Sequence, residues 1–511
     1  MSVDRRVDKI FRAQRRPCWL PDSVSGAIRL LLVLSLSTGA PGTAMALDVF
    51  RTSNDISETP AAGFVSANTG STGNAGSLCA FGAPGEPLRL DEAVNRALCN
   101  NLRTREAWAN VKIQAAGVGA AKAAYLPNVS ATWQEVRDGA VTDVSGYPQL
   151  SSSNHSTVHT GSVSLNWVLY DFGGRQAALR NSQELLAAAR ANQDATLQAT
   201  FSTVATDYYS AQAAAGKLAA AQKTERIAHD SYVAASARVD HGVAPISDQL
   251  QAQTSYAQAT FNKAKATGDL QTALGTLAAD MGLSPAQSII LPAVEDGVAL
   301  DRDFTEAVAE MIADAQRMHP SVAAARATLE AAVAKEQQTR SEGLPNVSFV
   351  AKYSQNNQPA SLGLGEPQFP ATGHDWYFGV QVQIPLFEGF GRTYQVRQAH
   401  SQVEVQQYRL DEARRQVGLD VWKSYQALQT GIENVGNGAV LLQIAQRSFD
   451  AAKHRYAAGV GNILELLNAQ SSLSDANRQR IQALTDWRAA RLDLAAKMGR
   501  LELNDLQVGN H

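Results

Sequence analysis

The side chains that could carry chemistry in this 511-residue chain are few and scattered. His155 and His159 stand four apart, a spacing two imidazoles can use to share a metal, but they lie in a Ser/Asn-rich stretch without a third ligand. That is the setting of solvated loop histidines. Leu362-Gly-Leu-Gly-Glu366 has the glycines of a phosphate-cradling loop, yet no helix start follows it. Aspartates and glutamates are interspersed with lysines and arginines along helical stretches, the pattern of a solvated face. Outside the first 46 residues the cysteines are Cys79 and Cys99. In an exported chain such a pair favours a disulfide tying the N-terminal segment to the first helix, the alternative being two unpaired thiols with one buried on the helix. No catalytic, cofactor-binding or metal site is expected, and the chain does not read as an enzyme.

Export is written into the first residues. Arg5, Arg6, Lys9, Arg12, Arg15 and Arg16 precede an apolar run from Leu30 to Leu36 and then Ala44-Met45-Ala46. A basic lead, a short apolar core and an A-x-A site form a secretory signal, here residues 1–46. A transmembrane anchor would need about 20 apolar residues, and Arg29 borders a run far shorter than that. Removing seven Lys+Arg and three Asp+Glu takes the formal net charge from −3 to −3 − 4 = −7. An acidic chain without a basic patch argues against nucleic acid as a partner. No cysteine follows the apolar run closely, so a lipid-anchor site is missing.

The elements that would position any site are organised by a repeat. Leu169-Tyr170-Asp171-Phe172-Gly173-Gly174-Arg175 falls on Leu386-Phe387-Glu388-Gly389-Phe390-Gly391-Arg392 at an offset of 386 − 169 = 217, and the same offset carries Leu277–Gly282 onto Leu494–Gly499 without a gap. Loops tolerate insertions and long packed helices do not, so the register implies rigid, length-sensitive structure. Residues 47–87 read as an irregular arm, 88–282 as a first structural repeat, 283–303 as an equatorial linker, 304–499 as a second repeat and 500–511 as a tail.

Each repeat predicts the same order of elements. Leu90, Ala93, Val94, Ala97 and Leu98 begin a helix expected to run to about Tyr125, where Pro127 closes it. The period then drops to two: Val129, Ala131 and Trp133, then Val163, Leu165, Trp167 and Leu169; in the second half Val347, Phe349, Ala351 and Tyr353, then Phe378, Val380, Val382, Ile384 and Leu386. The intervening stretches, about Asp138 to Thr157 and Ser354 to His374, read as exposed loops. Proline-free helices of about 67 residues follow, Arg175–His241 and Arg392–Ala458, each stopping at a glycine, Gly242 or Gly459. Further helices, about Ser247–Met281 and Leu464–Met498, complete the repeats. At about 1.5 Å per residue the long helix spans roughly 100 Å, as would two helices of about 35 residues laid end to end. The expected arrangement is a long helix antiparallel to two shorter ones in line, with strands at one end and the glycine turn at the other.

Four strands with one apolar and one polar face, in an exported chain without a spanning helix, point to a membrane β-barrel, because open sheet edges cannot face lipid. Four strands cannot close one, so several chains must contribute. The competing reading is a soluble antiparallel sheet whose apolar face lies on the helices.

The glycine turns followed by I-x-[DE]-x-x-x-A-Q at Ile246–Gln253 and Ile463–Gln470, the paired Leu-Pro-Asn-Val-Ser motifs at 126–130 and 344–348, and the strand-Gly-x-x-helix junctions together resemble the TolC family of outer-membrane efflux and secretion channels. The resemblance covers about Leu88 to Gly499. It implies a mainly α fold with membrane β: a homotrimer with a 12-stranded β-barrel in outer-membrane lipid, continued by a 12-helix α-barrel across the periplasm. The implied role is a passive exit duct recruited by a periplasmic adaptor (membrane fusion) protein and an inner-membrane ABC or RND transporter. The missing lipidation cysteine and the long strand-to-helix design look closer to the type I secretion branch, which includes the outer-membrane component of adenylate-cyclase toxin export. The rival is a soluble periplasmic coiled-coil scaffold or adaptor without a pore.

The resemblance also places residues at the tip. Tyr456 matches the family's aperture tyrosine, Asp248 its first-half aspartate and Glu465 one of its pore-ring acids; Asn468 replaces the other acid. The aperture arginine falls on Gly461, so the lock either lacks that pair or uses another base such as Arg455. Three copies each of Asp248 and Glu465 around a constriction would make a negative ring, whereas outside such a ring they are ordinary acids stabilised at helix starts. The exposed turns His241-Gly242-Val243 and Gly459-Val460-Gly461 are the expected adaptor-docking positions, glycine leaving backbone room for a partner hairpin.

Overall fold

Between Gly174 and Asp240 no proline interrupts an alanine-, glutamine- and leucine-rich stretch, and the chain forms one unbroken helix of 67 residues there. The computed structural model describes residues 48–56, 79, 81–82, 84, 87–294, 307–360 and 369–499. The expected signal, most of the N-terminal arm, the linker from residue 295 to 303, the Leu362–Glu366 stretch and the tail from residue 500 lie outside the described residues. All elements below belong to the unit that begins at Phe50.

In chain order the helices and strands are α1 (Leu90–Asn100), α2 (Leu102–Ala123), β1 (Asn128–Thr142), β2 (Ser152–Tyr170), α3 (Gly174–Asp240), α4 (Ile246–Asp280), α5 (Val308–Met318), α6 (Pro320–Ser341), β3 (Asn346–Asn356), β4 (Gly373–Gln383), α7 (Gly391–Ala457) and α8 (Ile463–Lys497). Helices α3 and α7 both have 67 residues, and α4 and α8 both have 35. At about 1.5 Å per residue the long pair reaches roughly 100 Å.

The helix expected from Leu90 to Tyr125 is two helices. Asn101 takes an extended ψ of 136° and ends α1, then caps α2 by accepting a hydrogen bond from the Arg103 N–H on its side-chain oxygen at 2.9 Å. Its amide also donates to the Asp280 carbonyl at the end of α4, 3.1 Å away. Gly282 makes that junction possible: its φ is +72°, and a Cβ there would lie 2.9 Å from Asn100 Cβ. The helix stacked in line with α4 is therefore α2 alone, 22 residues long, while α1 turns aside and buries Val94, Ala97 and Leu98 against Phe201, Val204 and Leu277. The second half is built alike. His319 ends α5, its Nδ1 accepts from the Ser321 N–H at 3.2 Å, Pro320 opens α6, and Gly499 at the end of α8 packs against His319. Full burial of Phe201, Leu98, Leu277 and Met281 makes this mid-length region the largest apolar core, each side chain contributing about 1.5–3 kcal/mol. A disulfide joins Cys79 to the buried Cys99 of α1 across a Cα–Cα distance of 5.6 Å.

The strands form one antiparallel meander in the order β1-β2-β3-β4. Val129 faces Leu165, Leu165 faces Ala351, and Ala351 faces Phe378, so the apolar positions of all four strands share one face. On the opposite face Ser130 and Thr132 exchange hydrogen bonds with Ser164 and Ser162, both at 2.8 Å. The apolar face is not laid on the helices. Trp133, Phe378 and Val380 are 70%, 68% and 63% exposed, which removes the soluble-sheet reading; β4 ends at Gln383, so Ile384 and Leu386 lie beyond the strand expected to include them.

The first strand pair is longer than periodicity indicated. Ladder bonding continues from Asp138 to Thr142 and resumes at Ser152, so only residues 143–151 connect the strands. His155 and His159 consequently sit in β2 and not in a loop; His159 Nδ1 lies 3.7 Å from a Glu135 carboxylate oxygen across the pair. Apolar alternation stops at the end of the apolar belt, while backbone pairing needs no apolar side chains, so period alone underestimates the strands. Among the described residues no cluster of three His, Cys, Asp or Glu could hold a metal.

Candidate aperture at the helical tip

Far from the sheet, α3 turns into α4 and α7 into α8. Both turns use a left-handed glycine, Gly242 at φ +72° and Gly459 at φ +77°. The Val243 N–H closes on the Arg238 carbonyl at 2.9 Å and the Val460 N–H on the Arg455 carbonyl at 3.1 Å, the bond that caps a helix end wrapping over such a glycine. Val243 and Val460, equivalent in the two halves, project into solvent at 65% and 70% exposure. His241, Gly242 and Gly459 are exposed beside them, and Gly461 is half-buried.

Four helices converge just behind the turns. Ala235 of α3 and Ala252 of α4 pack with Phe449, Ala452 and Tyr456 of α7 and with Ile463, Leu466 and Ala469 of α8. Alanine on the first-half helices brings their backbones close to the large side chains of the second half. Tyr456 is buried in this cluster.

The base that joins the two hairpins is Arg238, in the last turn of α3. Its guanidinium donates to the Tyr456 carbonyl at 2.6 Å and lies 4.7 Å from the centre of the Tyr456 ring. Burial pushes the Tyr456 phenol up, the Arg238 charge opposes that shift, and the Asp248 carboxylate adds to it. Arg238 of α3 thus reaches Tyr456 of α7 directly, and the charge of Asp248 on α4 acts on the same phenol.

Arg455 does something else. Its Nε lies 3.2 Å from Glu465 Oε1, so it pairs within its own hairpin. Glu465 is held in the first turn of α8 by the Asn462 cap, whose side-chain oxygen accepts from the Glu465 N–H at 2.8 Å. Asn468 is exposed one turn further along. A side chain at Gly461 would press on backbone, its Cβ lying 3.0 Å from the Tyr456 nitrogen and 3.1 Å from the Arg455 carbonyl carbon, so the turn would have to give by a few tenths of an ångström to accept one. Sequence reasoning missed Arg238, because a basic residue in the last turn of a helix is the ordinary complement to the helix dipole. Its position four residues before the Gly242 turn, opposite a matched Tyr456, was the available signal.

An open-edged four-stranded sheet with an uncovered apolar face, continued by helices of about 100 Å to a cross-tied tip, defines an outer-membrane channel protein. A family model described as outer membrane efflux protein matches residues 93–283 and 311–500, and the chain belongs to that family. It is an outer-membrane protein that extends into the periplasm, and the family and its relatives are transport proteins. Protein CyaE of Bordetella pertussis is 30% identical over 417 residues, 81% of this chain and 85% of that one. Outer membrane protein TolC of Escherichia coli is 21% identical over 444 residues, 85% and 87% of the two chains. The crystal structure of the outer membrane protein VceC from Vibrio cholerae shares the fold, with a TM-score of 0.68 at 18% identity over 80% of this chain and 96% of that one.

Proposed function

We propose that three copies of the chain form a channel-tunnel that serves as the passive exit duct of a type I secretion system. The observation that carries this reading is the uncovered apolar face of a sheet with both edges open. In lipid each unpaired backbone group costs several kcal/mol, so β1 and β4 must find partners, and the β4 edge of one copy can meet the β1 edge of the next. Three such sheets make the 12-stranded barrel, and four long helical columns per chain make the 12-helix tunnel beneath it. A periplasmic adaptor docks on the exposed Val243 and Val460 turns, and an inner-membrane ABC transporter supplies the energy. The absence of a cysteine at the signal cleavage point supports the secretion branch over lipidated drug-efflux channels.

At rest the tip is held closed by Arg238, which ties α3 of the first hairpin to Tyr456 of the second; separating the hairpins breaks that contact. Cell fractionation with heat-modifiable electrophoresis tests the assembly. The expected result is an outer-membrane trimer that dissociates on boiling, and a soluble periplasmic monomer would sink the proposal.

A further inference from the structure

The histidines of the sheet all share one face. His155 and His159 in β2 and His374 in β4 stand in register with Gly139, Glu135 and Gln355, on the side that carries Trp133, Val163, Tyr353 and Trp376. They are exposed, and they lie level with Trp133 or beyond it, at the end of the sheet away from the helices. Each strand pair repeats one arrangement there: His159 stacks on Trp133 with ring centres 6.1 Å apart, and His374 stacks on Tyr353 at 6.4 Å. The charges of the strands are sorted between the faces as well. Asp138 and Asp375 pair with Ser156 and Ser354 on the polar face, together with Lys352, whereas Arg137 shares the face of the histidines, with Glu135 as the acid beside them.

The local structure holds these side chains in place. Strand β3 ends at Asn356, yet the His159 backbone stays fixed, because the Asn357 side-chain oxygen accepts its N–H at 2.6 Å and the Asn357 N–H donates to its carbonyl at 3.3 Å. His155 lies across Gly139, where a Cβ would come within 3.3 Å of the ring. Glu135 lies 3.7 Å from His159 Nδ1, the position from which a carboxylate orients an imidazole that works through its other nitrogen.

We infer that this face continues the lipid contact outward, and that Arg137, His155, His159 and His374 form a rim that binds the phosphates of the outer-leaflet glycolipid. The helices extend into the periplasm, so the far end of the sheet looks out of the cell. Side chains on the lipid-facing side of a strand, just above its apolar belt, meet the headgroup layer. Guanidinium and imidazole N–H groups are donors suited to the anionic oxygens found there, and moving Asp138 and Asp375 to the other face removes carboxylates that would repel them. The inference rests on the membrane-channel reading of the sheet.

Binding of defined lipids to the purified full-length trimer in detergent, read by native mass spectrometry, tests it. Bis-phosphorylated lipid A should be retained, and lipid A stripped of both phosphates should bind about fivefold more weakly or less, as should phosphatidylglycerol. Combining Arg137→Gln, His155→Gln, His159→Gln and His374→Gln should weaken retention of bis-phosphorylated lipid A about fivefold or more, while Asp138→Asn with Asp375→Asn on the polar face should leave it unchanged. Heat-modifiable migration checks that each variant is a folded trimer. Should the fourfold variant fail to assemble, Arg137→Gln with His155→Gln, both above the end of β3, should still weaken retention about twofold. Equal retention of phosphate-free lipid A, or undiminished retention by the folded variants, overturns the inference. Phosphatidylglycerol bound as tightly as lipid A overturns it too, since the rim would then take any anionic lipid. A wild type that yields no outer-membrane trimer removes the channel reading instead, and the inference with it.

Discussion

The two halves of the chain agree in length and differ in chemistry. Helix α3 maps onto α7 and α4 onto α8 at one offset of 217, end for end. Upstream of the strands the offset is 218, since α2 begins at Leu102 and α6 at Pro320, so the single residue of difference falls within the strand region. Length is what a matched pair of columns cannot trade away, because strands must meet in one plane and turns at one level. Chemistry diverges where one half must touch the other: the first tip offers Arg238 and Asp248, the second offers Tyr456, the Arg455–Glu465 pair and the side-chain-free Gly461. The mid-length caps diverge as well, Asn101 in one half and His319 in the other.

The largest effect expected is one the halves should share. A lysine on the apolar face costs about 2–4 kcal/mol near the membrane midplane, so Val163→Lys in β2 and Phe378→Lys in β4 should both abolish trimers in outer-membrane fractions, while Ser164→Lys on the polar face should not. Unequal outcomes for the two apolar-face variants would break the symmetry of the sheet.

Next come effects confined to one half. Gly461→Ala forces a Cβ into backbone and should lower stability by about 1–3 kcal/mol in denaturant unfolding, whereas Ala244→Gly at the equivalent first-half position should cost well under 1 kcal/mol. The caps separate by pH. Asn101→Ala should cost about 1 kcal/mol at any pH from 5 to 8. His319→Ala should cost about as much at pH 8, and the cost should vanish in acid. Burial, aided by the Lys497 charge, lowers the His319 pKa below its ordinary value, and the cap needs a neutral Nδ1 to accept the Ser321 N–H. The stability it contributes is present above the unfolded pKa and is lost as pH falls through the folded one. Thermal unfolding of both variants at the two ends of the pH range checks the pair.

The smallest effect concerns Asp207 on α3. Burial raises its pKa to about 7, with a hydrogen bond to Asp280 and the charge of that neighbour adding to the shift. A folded pKa above the unfolded one means the folded state holds the extra proton, so stability is highest in acid and falls as pH rises toward 7. Asp207→Asn should recover about 1 kcal/mol or less at pH 8, after solvent screening, a smaller part of that at pH 5, and nothing near pH 3, below the unfolded carboxyl pKa.

Much of this was legible in the residues. The long helices follow from an absence of prolines and a glycine at each end, and the apolar belt follows from a period of two. The break at Asn101 was not, since asparagine is tolerated inside helices and its capping role needs Asp280 and Gly282 brought to it from 179 positions along the chain and beyond. Nor were the upper parts of β1 and β2, where Ser, Thr and His point both ways and pairing is held by backbone alone. At the tip, matching residues to a family motif pointed to Tyr456 and Asp248 but not to Arg238, because the base comes from the other half of the chain, 218 residues away from the carbonyl it binds.

Single-channel recording of the purified protein beside Arg238→Gln tests the closed, cross-tied tip most directly. The wild type should insert and conduct weakly, and the variant should conduct severalfold more at unchanged trimer stability. A wild type that conducts fully from the outset, or a folded variant with the wild-type conductance, would contradict it.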